Sequence, residues 1–385
     1  MLNFDYRNPT HIVFGKDRLG EIDALVPSQA RVMVLYGGGS VKKFGTLKAV
    51  TNALGKRYVV EFGGIEANPR YDTLMRAAHI AKAENIDFLL AVGGGSVMDG
   101  TKFVALATHF DGDAATLLWD GTAAIDDRKV LPLATVATLP ATGSEMNPFA
   151  VVSHARGKFG LRHPQCYPQF SVLDPTLTFT LPKIQVANGV VDAFVHICEQ
   201  YVTYPVDAKV QDRFAEGLLR TLIEIGPKAL ANPEDYDTRA NLVWCATNAL
   251  NGLIGTGVPQ DWATHAIGHE LTDRFGIDHG QTLAVVMPAL WRVCLADKQQ
   301  KLLQYAARVW DIHEGTDKER IEAAISKTCE FFQSLGIHTR LRDYGVAQQD
   351  VDAIVTALQN HNMNKLGEHQ HITPEVSQQI LSSAW

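Results

Sequence analysis

The chain has 385 residues, 46% of them hydrophobic, 20% charged and 8% aromatic, which is enough apolar material for two or three packed domains. Thirty-five basic against 42 acidic side chains leave a formal charge of −7. Such a composition excludes disorder or low complexity as the main architecture. It also argues against broad binding to nucleic acid or an anionic membrane, while leaving room for a local phosphate pocket.

The opening MLNFDYRNPTHIVFGK lacks the basic-then-apolar layout of a secretory leader, and no apolar run reaches the length of a bilayer span. From there to residue 178, short apolar runs alternate with helical stretches. RVMVLY (31–36), YVVEF (58–62), FLLAV (88–92), VLPLATVATL (130–139) and FSVLD (170–174) read as strands rich in β-branched and aromatic residues. DTLMRAAHIAKAEN (72–85), between two of them, spaces its apolar residues as a helix does. The strand runs are continuous rather than alternating, which fits a parallel sheet covered on both faces.

After Leu181-Pro182 strands give way to helical periodicity in QVANGVVDAFVHICEQYVT, QDRFAEGLLRTLIEIGPKAL, NLVWCATNALNGLIG and KLLQYAARVWDI. The expected organisation is an α/β domain over 1–178 and an all-helical domain over 179–385, with ligands held where the two meet. Cys166, Cys198, Cys245, Cys294 and Cys329 form no CxxC pair. They read as reduced, packed thiols of a cytoplasmic protein.

Gly37-Gly38-Gly39-Ser40 follows the first strand run and Gly93-Gly94-Gly95-Ser96 the third. At such a turn glycine lets backbone N–H groups approach an anion, and the dipole of the next helix favours its charge. Neither is a GxGxxG fingerprint, and either alone also reads as a tight turn. The second is followed by Ser96, Asp99 and Lys102, a donor, an acceptor and a cation spaced three apart on the next helix. A third polar strand end runs from Thr138 through Thr142, Gly143 and Ser144 to Glu145. Three such ends converge at the carboxyl edge of one parallel sheet, where open sheets bind nucleotides. At the first cluster an NAD-selective site would carry an acidic residue for the ribose. Here stand Ser40, Lys42 and Lys43, which suit a 2′-phosphate, so NADP(H) is expected rather than NAD(H).

In the helical half Asp192 and His196 lie four apart, as do His265 and His269, and His279 follows ten residues later. One carboxylate with three or four imidazoles suits one divalent metal ion. The absence of sulfur favours iron(II) or zinc, with manganese, cobalt or nickel as substitutes. Singly, each histidine also reads as an ordinary satisfied polar residue. HExxH is absent, because Asp273 stands where its second histidine belongs. Glu199, one turn beyond His196, reads either as a partner orienting a ligand or as a solvated helix residue.

Together these residues resemble the iron-dependent (group III) alcohol dehydrogenases, and within them the NADPH-dependent aldehyde reductase branch. The matching stretches span nearly the whole chain: Phe4…Pro9-Thr10…Phe14-Gly15, GGGSVMDGTK (93–102), LPATGSE (139–145), LDPTLTFTLP (173–182), NGVVDAFVHICEQ (188–200) and HAIGHELTDRFGIDHG (265–280). The resemblance implies a dehydroquinate-synthase-like fold, with an N-terminal dinucleotide-binding α/β domain and a C-terminal helical metal-binding domain. It implies metal ligands at Asp192, His196, His265 and His279, with His269 close to nicotinamide and substrate. It implies pyrophosphate contacts at Gly94, Gly95 and Ser96 with Asp99 nearby, a cofactor cleft lined by Thr138 and Thr142, and a cofactor contact from Lys158. The GGGS at 37–40 is shared with that branch, where NAD-using members tend to carry an aspartate.

The function so implied is reversible, metal-dependent reduction of aldehydes to primary alcohols with NADPH, by a cytoplasmic homodimer. The metal polarises the carbonyl oxygen, and His269 or a water relay from the ribose carries the proton. A lyase of the dehydroquinate synthase kind would need a basic cluster near the metal ligands, which is absent. A metal-dependent hydrolase would leave the glycine-bearing strand ends without purpose, and a nucleotide sensor has no use for intact metal positions. Phe149, Val151, Trp262 and Phe275 flank the motifs and read as an apolar pocket or as plain packing.

Overall fold

The computed structural model describes all 385 residues, which divide into two compact units. One comprises Arg7–Leu181 with Pro233–Thr247, the other Met1–Tyr6, Pro182–Asn232 and Asn248–Trp385.

The first unit is built on strands β1 (His11–Phe14), β2 (Arg31–Tyr36), β3 (Tyr58–Phe62), β4 (Phe88–Gly93), β5 (Leu133–Ala137) and, after a hairpin, β8 (Phe170–Leu173). They form one parallel sheet in the order β1-β8-β5-β4-β2-β3. Around it lie helices α1 (Ile22–Leu25), α2 (Ser40–Lys43), α3 (Thr46–Ala53), α4 (Tyr71–Ala83), α5 (Gly95–Ala107) and α6 (Thr116–Trp119). Alternate residues of each strand feed opposite cores, as continuous apolar runs require. Met33, Leu89, Ala91 and Leu133 pack with residues of α4 and α5, whereas Val34, Leu90, Val92 and Val136 pack with residues of α3.

Two elements differ from expectation. β1 is four residues long and joins the sheet only through β8. β6 (Phe149–His154) and β7 (Gly157–Arg162) form a separate antiparallel hairpin. Neither has the long apolar run that marks a buried strand. The segment 130–139 is extended only over its middle, since Pro132 interrupts one end and Thr138 leaves at the other.

The second unit is helical: α7 (Lys183–Tyr201), α8 (Lys209–Ala231), α10 (Ala263–Phe275), α11 (His279–Val293), α12 (Leu295–Val309), α13 (Asp317–Ser334), α14 (Val351–Asn360) and α15 (Pro374–Ala384). Between α8 and α10 runs α9 (Tyr236–Ala249), which packs mostly within the first unit. There the Trp244 ring meets Phe14 edge-on at 6.0 Å, and the Thr247 hydroxyl donates to Glu145 Oε1 at 2.5 Å. α7 is buried on every side from Val190 to Tyr201. Its Asp192, His196, Glu199 and Gln200 therefore need partners, because an unpaired polar group in such a place is destabilising. No helix is long and apolar enough to cross a membrane.

Candidate active site

The chain leaves β2 for the sheet edge at β3 and returns to the other side of β2 as β4. The reversal point of an open sheet lies between those neighbours. Tyr36 stands opposite Val92 and Gly93 opposite Ala137, so the turns after β2, β4 and β5 leave the sheet side by side. All three predicted strand ends meet there.

After β2, Gly39 adopts φ +102°, a conformation that a side chain resists, and opens α2. Ser40, Lys42 and Lys43 are exposed. Lys42 Nζ lies 4.9 Å from the Tyr36 ring centre and 3.8 Å from Glu61 on β3. Glu61 is a carboxylate that sequence order alone does not bring to this corner.

After β4, Gly94 is extended and α5 begins at Gly95. A Cβ on Gly95 would stand 2.5 Å from Thr142 Cγ2, and one on Gly94 3.1 Å from Leu139 Cβ. The 138–142 loop thus presses on the start of α5, and only glycine leaves the backbone N–H groups open to an anion. The Thr138 N–H donates to the carbonyl of Gly93.

Asp99 and Lys102 face inward. Asp99 Oδ1 accepts from Ser144 Oγ at 2.6 Å and Oδ2 from the Val151 N–H at 2.9 Å. Lys102 Nζ donates to Ser144 Oγ, Asn147 Oδ1 and the Phe149 carbonyl at 2.7, 3.1 and 2.7 Å. The pair therefore pins residues 144–151 to α5. Burial raises the Asp99 carboxyl and lowers the Lys102 ammonium to about 8, against the attraction between them. Lys158 on β7 donates to Asn68 Oδ1 at 2.7 Å, and the Asn68 N–H donates to Ser96 Oγ at 3.3 Å. Asn68, which no motif marks, links two of the residues singled out from sequence.

In the second unit α7 carries Asp192 and His196, α10 carries His265 and His269, and His279 opens α11. Small residues let these helices close up. A Cβ on Gly280 would sit 2.5 Å from the Asn188 carbonyl, and one on Gly268 2.8 Å from Thr282 Oγ1. Asp192 Oδ1 is 3.4 Å from His196 Nε2, 3.5 Å from His265 Nε2 and 3.8 Å from His279 Nε2. The donor atoms of Asp192, His265 and His279 all lie within 4.8 Å of one another, and the His196 ring stacks on His265 at 4.6 Å. His269 stands beside the group, its ring 4.9 Å from that of His279.

Asp192 Oδ1 and His265 Nε2 are buried with no hydrogen-bond partner. Their spacing fits an ion better than a hydrogen bond. Bonds of about 2.1 Å to a tetrahedral ion would put donors about 3.4 Å apart. The residues present thus fit a divalent metal with oxygen and nitrogen ligands. Burial opposes charge on Asp192, yet the imidazoles of His196, His265 and His279 hold its carboxyl well below the usual range.

Glu199 is buried and aimed at His265. Its Oε1 accepts from the backbone N–H groups of Thr264 and His265 at 2.7 and 3.3 Å, and its Oε2 meets His265 Nδ1. Of the two readings of Glu199, the geometry supports the orienting partner. Holding a proton on Nδ1 turns the Nε2 lone pair toward Asp192. Burial pushes the His265 imidazole down, but Glu199 and Asp192 outweigh it and raise it to about 9.

Residues 9–175 match the family described as iron-containing alcohol dehydrogenase, and 186–385 the C-terminal domain of the Fe-containing alcohol dehydrogenase family. The chain is 54% identical to the NADPH-dependent aldehyde reductase YqhD of Escherichia coli K12, with all of both sequences covered. It is 37% identical to NADH-dependent butanol dehydrogenase A of Clostridium acetobutylicum, again over both full lengths. The crystal structure of E. coli YqhD superposes with a TM-score of 0.98, covering 100% of this chain and 99% of that one. That of butanol dehydrogenase A from Thermotoga maritima, 34% identical, gives 0.95 at the same coverage. A parallel-sheet unit with glycine turns at its reversal point, a helical unit with three imidazoles around one carboxylate, and these full-length matches agree: the chain belongs to the iron-containing alcohol dehydrogenase family.

Proposed function

We propose that the protein reduces small aldehydes to primary alcohols with NADPH, reversibly, using one divalent ion, iron(II) or zinc, held by Asp192, His196, His265 and His279. The observation that carries the reading is the convergence of three imidazole nitrogens on a buried carboxylate oxygen that has no hydrogen-bond partner. When bound there, the ion supplies Lewis acidity toward the carbonyl oxygen.

The remaining work falls to the chain. Glu199 keeps His265 in one tautomer, and the Trp262 ring packs against two of the imidazoles, 5.5 Å from that of His265 and 6.2 Å from that of His196. Reduction adds a hydride at the carbonyl carbon and a proton at its oxygen, and His269, beside His279, is placed to pass that proton. The open N–H groups at Gly95 and Ser96, at the start of α5, receive the pyrophosphate, with Gly94, Thr138, Thr142 and Lys158 around it. Asp99 acts there indirectly, by holding Ser144 and Val151. Gly37, Gly38, Gly39, Ser40 and the two lysines beyond receive the 2′-phosphate. We further place the enzyme in the cytoplasm as a homodimer, for which the outer edge of β1, bonded only to β8, offers a strand-pairing surface.

NADPH oxidation with a panel of straight-chain aldehydes, before and after metal removal, tests the reading. Activity restored by iron(II) or zinc is expected. Full activity of the stripped protein would overturn it. Ser40→Asp should lower kcat/KM for NADPH about 100-fold through like-charge repulsion while sparing NADH. Parallel titrations with the two cofactors check this, and an unchanged preference would remove the 2′-phosphate from this corner. Glu199→Gln should weaken metal binding by about 10- to 100-fold, read by chelator competition.

A further inference from the structure

Lys298, on α12, is a buried charge outside the metal cluster. Its side chain is 1% exposed, and Nζ lies 2.8 Å from Asp261 and 2.9 Å from Glu368, whose side chains are 2% and 4% exposed. The same ammonium donates to the Val202 carbonyl at 3.1 Å. Burying three charged groups adds little stability compared with apolar packing, so the group needs another explanation. Its contacts supply one. Val202 closes α7, the helix of Asp192 and His196. Asp261 leads into α10, the helix of His265: its Oδ1 accepts from the Ala263 N–H at 3.1 Å, and its own N–H donates to the Glu199 carbonyl at 2.9 Å. Between them Trp262 is held at φ 62°, a strained conformation for a bulky residue that persists only where both flanks are pinned.

We propose that Lys298, acting through Asp261, is a positioning residue for the metal centre: it ties the end of α7 to the start of α10 and so sets how far His265 stands from Asp192. The inference rests on the reading of that cluster as a metal site. With the tie intact the two donors stand 3.5 Å apart. Without it, the first turn of α10 is anchored on α7 by Glu199 alone, and the donors are no longer held ready for an ion.

Cobalt(II) is a suitable probe, because its visible absorption reports the ligand geometry. The full chain is stripped, reloaded and titrated by chelator competition well below its melting temperature. Asp261→Asn, which keeps the cap on Ala263 but loses the charge facing Lys298, should bind cobalt about tenfold more weakly and with an altered spectrum. Lys298→Arg, which keeps the charge, should retain more of the affinity than Lys298→Met. Failure of Lys298→Met to fold leaves the Asp261→Asn result decisive. A folded Asp261→Asn with parental affinity and spectrum, or equal losses in the two Lys298 variants, would overturn the proposal. A parent chain that takes up no cobalt would instead remove the metal reading on which it rests.

Discussion

Asp192→Asn should reduce aldehydes about a thousandfold more slowly than the parent, with metal content falling in step. Three imidazoles face Asp192 Oδ1 from 3.4 to 3.8 Å, and its carboxylate is the anionic member of the set. An amide supplies no negative charge to the ion, and its NH2 group, turned inward, would present hydrogens where a lone pair is required. Losing Lewis-acid stabilisation of about 4 kcal/mol corresponds to three decades in rate. The first unit contains none of these residues, so NADPH affinity measured by fluorescence should stay within about twofold of the parent. Steady-state kinetics with elemental analysis decide the matter. A variant that lacked metal yet kept parental turnover would refute the proposed chemistry.

Lys102→Met should destabilise the first unit by about 1–3 kcal/mol, since Ser144 Oγ, Asn147 Oδ1 and the Phe149 carbonyl lose a buried donor and the Asp99 carboxylate loses the attraction of the ammonium. Adding Asp99→Asn to it should recover part of the loss, because an amide is less strained by burial than an unpaired charge. The pH dependence has a definite sign. Burial lowers Lys102 to about 8 in the folded unit, whereas the unfolded chain keeps that proton up to about 10.4. Between those values the unfolded state binds more protons, so the contribution of Lys102 to stability rises with pH. Denaturant melts from pH 8 to 10 should show this slope in the parent and a shallower one in Lys102→Met. Parallel slopes would mean that the lysine titrates normally.

Much of this was legible in the sequence because it depends on local spacing. Five apolar runs betray five sheet strands: β2, β4, β5 and β8 are almost wholly buried and so nearly continuously apolar, while the edge strand β3 keeps its β-branched and aromatic residues beside the exposed Glu61. Asp192 with His196 and His265 with His269 are legible because residues four apart share one face of a helix. What escaped depends on direction and distance. Asp99 and Lys102 lie on the helix that the glycine pattern predicts, yet spacing cannot say that Lys102 is buried or that both side chains bond to residues 144–151. Glu61 reaches Lys42 from a neighbouring strand, and Asn68 reaches Ser96 and Lys158 from a loop, neither with any periodic mark. Lys298 meets Asp261 and Glu368 across 37 and 70 positions of chain, and nothing local predicts that a buried lysine will find two buried acids. The β6–β7 hairpin carries no apolar run of that kind over β7, because Gly157–Arg162 mixes charged and apolar residues.

The excursion of α9 into the first unit bears on how the polypeptide is made. Glu145 is buried, and Thr247 donates to its Oε1. When β8, the last strand of the sheet, leaves the exit tunnel, α9 has yet to be synthesised. The first unit therefore completes itself only after residues 182–232, which belong to the other unit, have emerged. A truncated gene ending at Leu181 should accordingly yield an aggregating product, whereas supplying residues 233–247 as a separate peptide should improve its solubility.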